Sequence, residues 1–180
     1  MDNFYVITGG PGVGKTTLLH ELGKSGFRTV AEDARRIIQD EIKNDGDGVP
    51  WKNKAYYTVL MLQASVEQYV LYRDSDDREI HFFDRGILDA CCYAEMMHID
   101  MPDDVQYAAA RLRYNRKVFI LPPWKEIYKH DEERRQDWRE AVYTYEAIQS
   151  TYRTHGYELI EVPKESVQHR VDFVVSQIRG

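Results

Sequence analysis

Gly9-Gly10-Pro11-Gly12-Val13-Gly14-Lys15-Thr16 fits the pattern G-x-x-x-x-G-K-[ST], with its fixed positions at Gly9, Gly14, Lys15 and Thr16. The apolar run Phe4–Thr8 precedes it, and Lys15–Lys24, with amphipathic helical spacing, follows it. Strand, glycine-rich turn and helix form the context this pattern requires. Glycines let the main chain curl so that several N–H groups point at one anion. The helix adds its positive end and its unpaired N–H groups. Lys15 supplies a mobile charge for the β and γ phosphates, and Thr16 a hydroxyl for Mg²⁺. The expected triphosphate contacts are Gly9, Gly10, Gly12, Val13, Gly14, Lys15, Thr16 and Thr17. The expected cofactors are ATP and Mg²⁺.

Outward from this loop, four more runs have strand character: Arg28–Ala31, Ile80–Phe83, Lys117–Leu121 and Tyr157–Val162. FYVIT, IHFF and KVFIL are almost unbroken apolar stretches, as strands covered on both faces are. Helical segments are expected at Lys15–Lys24, Asp33–Lys43, Lys54–Arg73, Ile87–Met97, Pro102–Tyr114, Glu132–His155 and Val167–Arg179. Gly26 and Gly156 stand where helix ends favour positive φ, and Ser166 is placed to cap the last helix. Alternating strands and helices predict a layered α/β domain with right-handed crossovers. No linker divides the chain, so residues 1–180 read as one domain.

The 180 residues carry 24 basic and 30 acidic side chains, a net charge of −6. That balance argues against a protein that coats a nucleic-acid backbone, but not against a small phosphorylated ligand. No apolar run approaches the roughly 18 residues of a membrane helix, and no secretory signal is visible. The two cysteines, Cys91 and Cys92, are neighbours and cannot join distant segments. They read as reduced thiols packed in a cytoplasmic protein. The six histidines show no metal-ligand spacing.

Three further places carry chemistry. Asp84, in His81-Phe82-Phe83-Asp84-Arg85-Gly86, ends a buried strand, where open α/β sheets bind ligands. It reads as a Mg²⁺ residue or as a helix cap. Arg85 follows it where water-activating ATPases commonly carry a second acid, which counts against a motor ATPase. Asn53-Lys54-Ala55-Tyr56 lacks the Asp of a guanine-reading NKxD segment. Glu32, after the second strand, reads as a carboxylate facing a phosphate acceptor, able to hold or deprotonate its hydroxyl. It also reads as a first-turn complement to a helix dipole. Lys125, Lys129, Arg134, Arg135 and Arg139 make a basic cluster after the fourth strand. Arg135 and Arg139 share a helix face there. They suit a lid that neutralises a moving phosphoryl group, or a solvated helix with ion pairs.

Between strands two and three lie Trp51, Tyr56, Tyr57, Tyr69 and Tyr72. Tyr69 and Tyr72 read first as core, while Trp51 and Gln63 are candidate ligand contacts. Asp89 reads as a solvated helix residue, and Asn44–Gly48 as a plain turn.

Together ITGGPGVGKTT, VAEDARRII, FFDRGILD and ILPPWKEIYKHDEERR…YRTHGYELIEVP resemble a compact, AAA-like predicted-ATPase family. That family is related to the nicotinamide riboside kinase domain of NadR-type regulators. The resemblance spans nearly the whole chain and extends to nucleoside and nucleoside-monophosphate kinases. It implies a three-layer α/β/α P-loop NTPase whose five-stranded parallel sheet has the order 2-3-1-4-5. It also implies a phosphate loop at 9–17, an acceptor-side insert at about 44–73 and an arginine-bearing lid at about 124–140. By that likeness Asp84 serves Mg²⁺ or the acceptor hydroxyl, and Arg134, Arg135 and Arg139 belong to the lid. The expected activity is transfer of the γ-phosphoryl of ATP to a nucleoside- or nucleotide-like molecule by a monomer or homodimer. The alternatives are an ATPase driving a partner and a nucleotide sensor.

Overall fold

The computed structural model describes residues 1–75, 77–127 and 138–179. Five parallel strands, β1 (Phe4–Gly9), β2 (Arg28–Val30), β3 (His81–Asp84), β4 (Lys117–Leu121) and β5 (Glu158–Glu161), form one sheet in the order β2-β3-β1-β4-β5. Seven helices are present among the described residues. They are α1 (Lys15–Lys24), α2 (Ala34–Lys43), α3 (Lys54–Arg73), α4 (Ile87–Met96), α5 (Asp103–Arg111), α6 (Trp138–Thr154) and α7 (Val167–Arg179).

Period-two alternation assigns the faces of β1. Phe4 and Val6 pack with Leu62, Leu88 and Ile148, from α3, α4 and α6. Tyr5 and Ile7 pack with Leu18, Leu22, Val171 and Val174, from α1 and α7. Helices on both faces explain why every residue of β1 is buried and apolar or small. Among the described residues, no helix is long and apolar enough to cross a membrane.

The expected order of elements is the observed one, and several bounds differ by one or more residues. The helix expected at Pro102–Tyr114 covers only Asp103–Arg111. Tertiary contacts claim its last residues: Arg113 donates to the His155 carbonyl at 2.6 Å, its own carbonyl accepts from Tyr69, and Tyr114 is buried. The third strand lies one residue later than expected, at His81–Asp84, because Phe4–Ile7 pairs with those four residues. The first part of the helix expected at Glu132–His155 lies outside the described residues.

The register determines the site. Ile7 stands beside Asp84, and Val30 beside Phe83. The C-terminal ends of β1, β2 and β3 therefore meet, bringing the loop of residues 9–17, Glu32 and the Asp84–Gly86 turn to one edge.

Candidate functional site

The loop after β1 curls as its glycines require. Gly9 has φ 137°, Gly12 φ 76° and Gly14 φ 84°. A Cβ on Gly9 would lie 2.6 Å from the Leu121 carbonyl oxygen, so the loop closes against β4 only without a side chain there. Lys15 folds back, its Nζ 3.3 Å from the carbonyls of both Gly9 and Gly10. Burial, and then the nearby Arg85 cation, lower its pKa to about 8 against the pull of Asp84, Glu32 and Asp89. Gly12, Gly14, Lys15, Thr16 and Thr17 line a cleft of about 630 Å³. Val13 is buried beneath the loop.

A second cavity, of about 280 Å³, opens on the α3–α4 side of the sheet. Tyr57, Met61, Tyr93, Met97 and Tyr114 give it apolar and aromatic walls. Glu32 and Arg85 line both cavities and so stand between them. The Arg85 Nε is 3.1 Å from Glu32 Oε1, and its Nη1 is 3.5 Å from Asp89 Oδ1. Arg85 reaches both from a backbone at φ 70°, a strained region for a non-glycine residue. Its pKa is raised: burial opposes the charge, but the acidic groups around it (Tyr93, Glu32, Asp89 and Asp84) outweigh burial.

Asp84 is half-buried beside them. Burial raises its carboxyl above the ordinary range; Lys15 opposes that and Glu32 adds to it. Its Oδ1 is buried without a hydrogen-bond partner among the described residues. A carboxylate oxygen in that state suits a cation such as Mg²⁺; Asp84 lines the second cavity and Thr16 the loop cleft.

Asp89 corrects the sequence reading. It is 1% exposed rather than solvated. Its carboxylate accepts from the Thr8 hydroxyl, from Tyr152 Oη at 2.6 Å and from the Gly86 N–H at 2.8 Å. It thus ties β1, α4 and α6 together under Arg85. The Arg85–Asp89 spacing of i, i+4 was the available signal.

Arg170 was also missed. It is 4% exposed in α7, and its guanidinium donates to the Val13 carbonyl at 3.3 Å under the phosphate loop. No motif marks it. Trp51 is exposed, and neither it nor Gln63 lines either cavity. Tyr69 and both cysteines are buried, as expected. Arg134 and Arg135 lie outside the described residues. Arg139 is exposed at the start of α6, and Lys125 is exposed after β4.

The AAA domain family matches residues 4–170 of the chain. No curated protein matches it. Several solved structures share its fold. Deoxyadenosine kinase from M. mycoides, with products dCMP and a flexible dCDP bound, is 15% identical with TM-score 0.65, and 98% of each chain is covered. NadR in complex with NR is 18% identical with TM-score 0.74, over 99% of this chain and 52% of that one. Shikimate kinase from Acinetobacter baumannii in complex with shikimate is 15% identical with TM-score 0.60, over 99% and 93%.

Proposed function

We propose that this chain, which belongs to the AAA domain family, is a phosphotransferase that moves the γ-phosphoryl of Mg²⁺·ATP to a hydroxyl of a small nucleoside- or nucleotide-like acceptor. The observation that carries this reading is that Glu32 and Arg85 line both cavities. A hydrolase needs only the cleft on the loop. A second, aromatic-walled cavity sharing a carboxylate–guanidinium pair with that cleft suits a second substrate. Kinase folds among the structural neighbours agree with it.

In this reading the loop amides and Lys15 hold the triphosphate, and Thr16 and Asp84 would hold Mg²⁺, which would neutralise charge on the phosphates. The acceptor binds in the smaller cavity with its hydroxyl toward Glu32. Glu32 accepts the hydroxyl proton as the acceptor oxygen bonds to the γ-phosphorus. The bond from that phosphorus to the β–γ bridging oxygen breaks, and ADP leaves with the electron pair. Arg85 balances charge between the cavities, and Asp89 keeps its guanidinium there. Arg134, Arg135 and Arg139 would complete the charge neutralisation from the lid. Most of the rate would come from positioning and electrostatics rather than covalent chemistry by the protein.

The test is a product assay by mass spectrometry and ³¹P NMR, with Mg²⁺·ATP and a panel of hydroxyl-bearing acceptors. A phosphorylated acceptor should appear. Glu32→Gln should lower kcat by about 10²- to 10⁴-fold, the usual contribution of a positioned base, while ATP affinity stays within about threefold. Inorganic phosphate released at full rate with no phosphorylated acceptor would replace transfer with hydrolysis.

A further inference from the structure

We propose that the smaller cavity selects acceptors that carry no negative charge, uncharged or cationic, and that the same selectivity disfavours the phosphorylated product. The inference rests on the phosphotransferase reading and narrows its substrate class. Among the described residues, four carboxylates line the cavity (Glu32, Asp33, Asp84 and Asp89), of which Asp84 would face Mg²⁺, against two cations, Lys54 and Arg85. Arg85 is ion-paired with Glu32 and Asp89, although its buried Nε makes no hydrogen bond among the described residues. Lys54 is exposed on the first turn of α3.

Two main-chain donors at helix starts around the cavity are also engaged within the protein, while the start of α2 carries no side-chain cap. At the start of α4, the Gly86 N–H donates to the Asp89 carboxylate. At the start of α3, the Tyr56 N–H donates to the Asn53 side chain at 3.0 Å. Asp33 precedes α2 and is paired with Arg36 at 2.7 Å, so Arg36 is turned to its own helix. The hydroxyls of Thr58 and Ser65 donate to the carbonyls of Lys54 and Met61, and the Gln68 amide donates to Ala31. What remains for a ligand is chiefly acceptor oxygen and aromatic face. That environment suits a ring with N–H, O–H or positive charge and opposes a phosphate or carboxylate.

The transfer adds a dianionic phosphoryl group to the acceptor. The product therefore carries beside these carboxylates a charge that the neutral substrate lacked.

The experiment compares matched pairs on the full chain with Mg²⁺·ATP: thymidine, deoxycytidine, deoxyadenosine and nicotinamide riboside, each beside its 5′-monophosphate, with shikimate as a carboxylate. Calorimetry on the Mg²⁺·AMP-PNP-loaded protein runs in parallel. The members without a phosphate should include the substrate. Its kcat/KM should exceed that of its monophosphate by about 100-fold, the cost of one like charge about 6 Å away in a half-buried site. Asp33→Lys should shrink that ratio by about tenfold. A monophosphate or shikimate used as well as the uncharged compounds overturns the inference and leaves the phosphotransferase reading standing. Uncharged compounds that bind more tightly than their monophosphates, yet are never phosphorylated, support the charge selection and sink the transfer reading. A ratio unchanged by Asp33→Lys, or a cavity that binds no member of the panel, overturns the inference.

Discussion

At the scale of single residues, the site is a set of charges that answer one another. Asp89 has lost its water, and three protein donors besides Arg85 replace it. Asp89→Ala leaves the Thr8 and Tyr152 hydroxyls without their acceptor and Arg85 without its buried counter-ion. Urea denaturation should show a loss of about 3–5 kcal/mol, as for a broken buried ion pair. Tyr152→Phe, which removes one donor, should lose about 1–2 kcal/mol. An Asp89→Ala protein as stable as the parent would mean that the knot is an ornament of the fold. Lys15 offers a second test. Its pKa of about 8 in the free protein is low because burial and Arg85 oppose its charge. A bound triphosphate favours that charge and raises the pKa again. Near pH 8 nucleotide binding should therefore take up about half a proton, and near pH 6.5 none by this group. Calorimetry in buffers of different ionisation enthalpy reads the uptake directly. The sign for stability follows from the same shift. Between pH 8 and the ordinary lysine value the unfolded chain binds more protons than the folded one, so the free protein grows more stable as pH rises through that window.

Elements differ in how plainly they were written in the sequence. β1 and β4 are continuous apolar runs because helices cover both their faces, so their positions could be read directly. β2 and β5 are edge strands with exposed residues, and the observed β5 is shorter at both ends than the run Tyr157–Val162. There the hydrogen bonds of one neighbour set the limits, and composition does not report them. α5 stops early because Arg113 and Tyr114 belong to contacts with distant residues, which no local pattern encodes. α4 is the most informative helix. Its first turn carries Asp89, and Cys91 and Cys92 lie buried behind it. Burial pushes the Cys91 thiol up to about 12 and the Cys92 thiol up to about 11. Neither is nucleophilic at neutral pH in that state. Iodoacetamide should leave both unmodified in the native protein and label both in urea, as read by mass spectrometry. Fast native labelling would show that α4 opens from the sheet.

At the scale of the whole molecule, the strand order explains why three distant stretches meet. β1 lies beside β3, and β2 on the far side of β3, so the loop of residues 9–17, Asp84 and Glu32 share one edge of the sheet. The loop could be read from the sequence because its chemistry sits in eight consecutive residues. The Glu32–Arg85 pair could not, because it forms only when β2 and β3 are neighbours. Arg170 was still less accessible, since α7 closes beneath the loop from the far end of the chain. Its contact with Val13 makes the loop part of the folded core, so occupancy of the loop should be felt by the entire domain. Mg²⁺·ATP at about 100 times its Kd should add about 2.7 kcal/mol of stability by mass action. In a chain of this size that is a rise in Tm of about 5–10 °C. Lys15→Ala should unfold near the Tm of the nucleotide-free parent and show no rise with ATP. Because the free lysine costs the fold charge burial, removing it leaves the sheet and its helices intact. A variant that keeps the full rise would place the triphosphate elsewhere, whereas one that unfolds without nucleotide would make Lys15 a structural residue first.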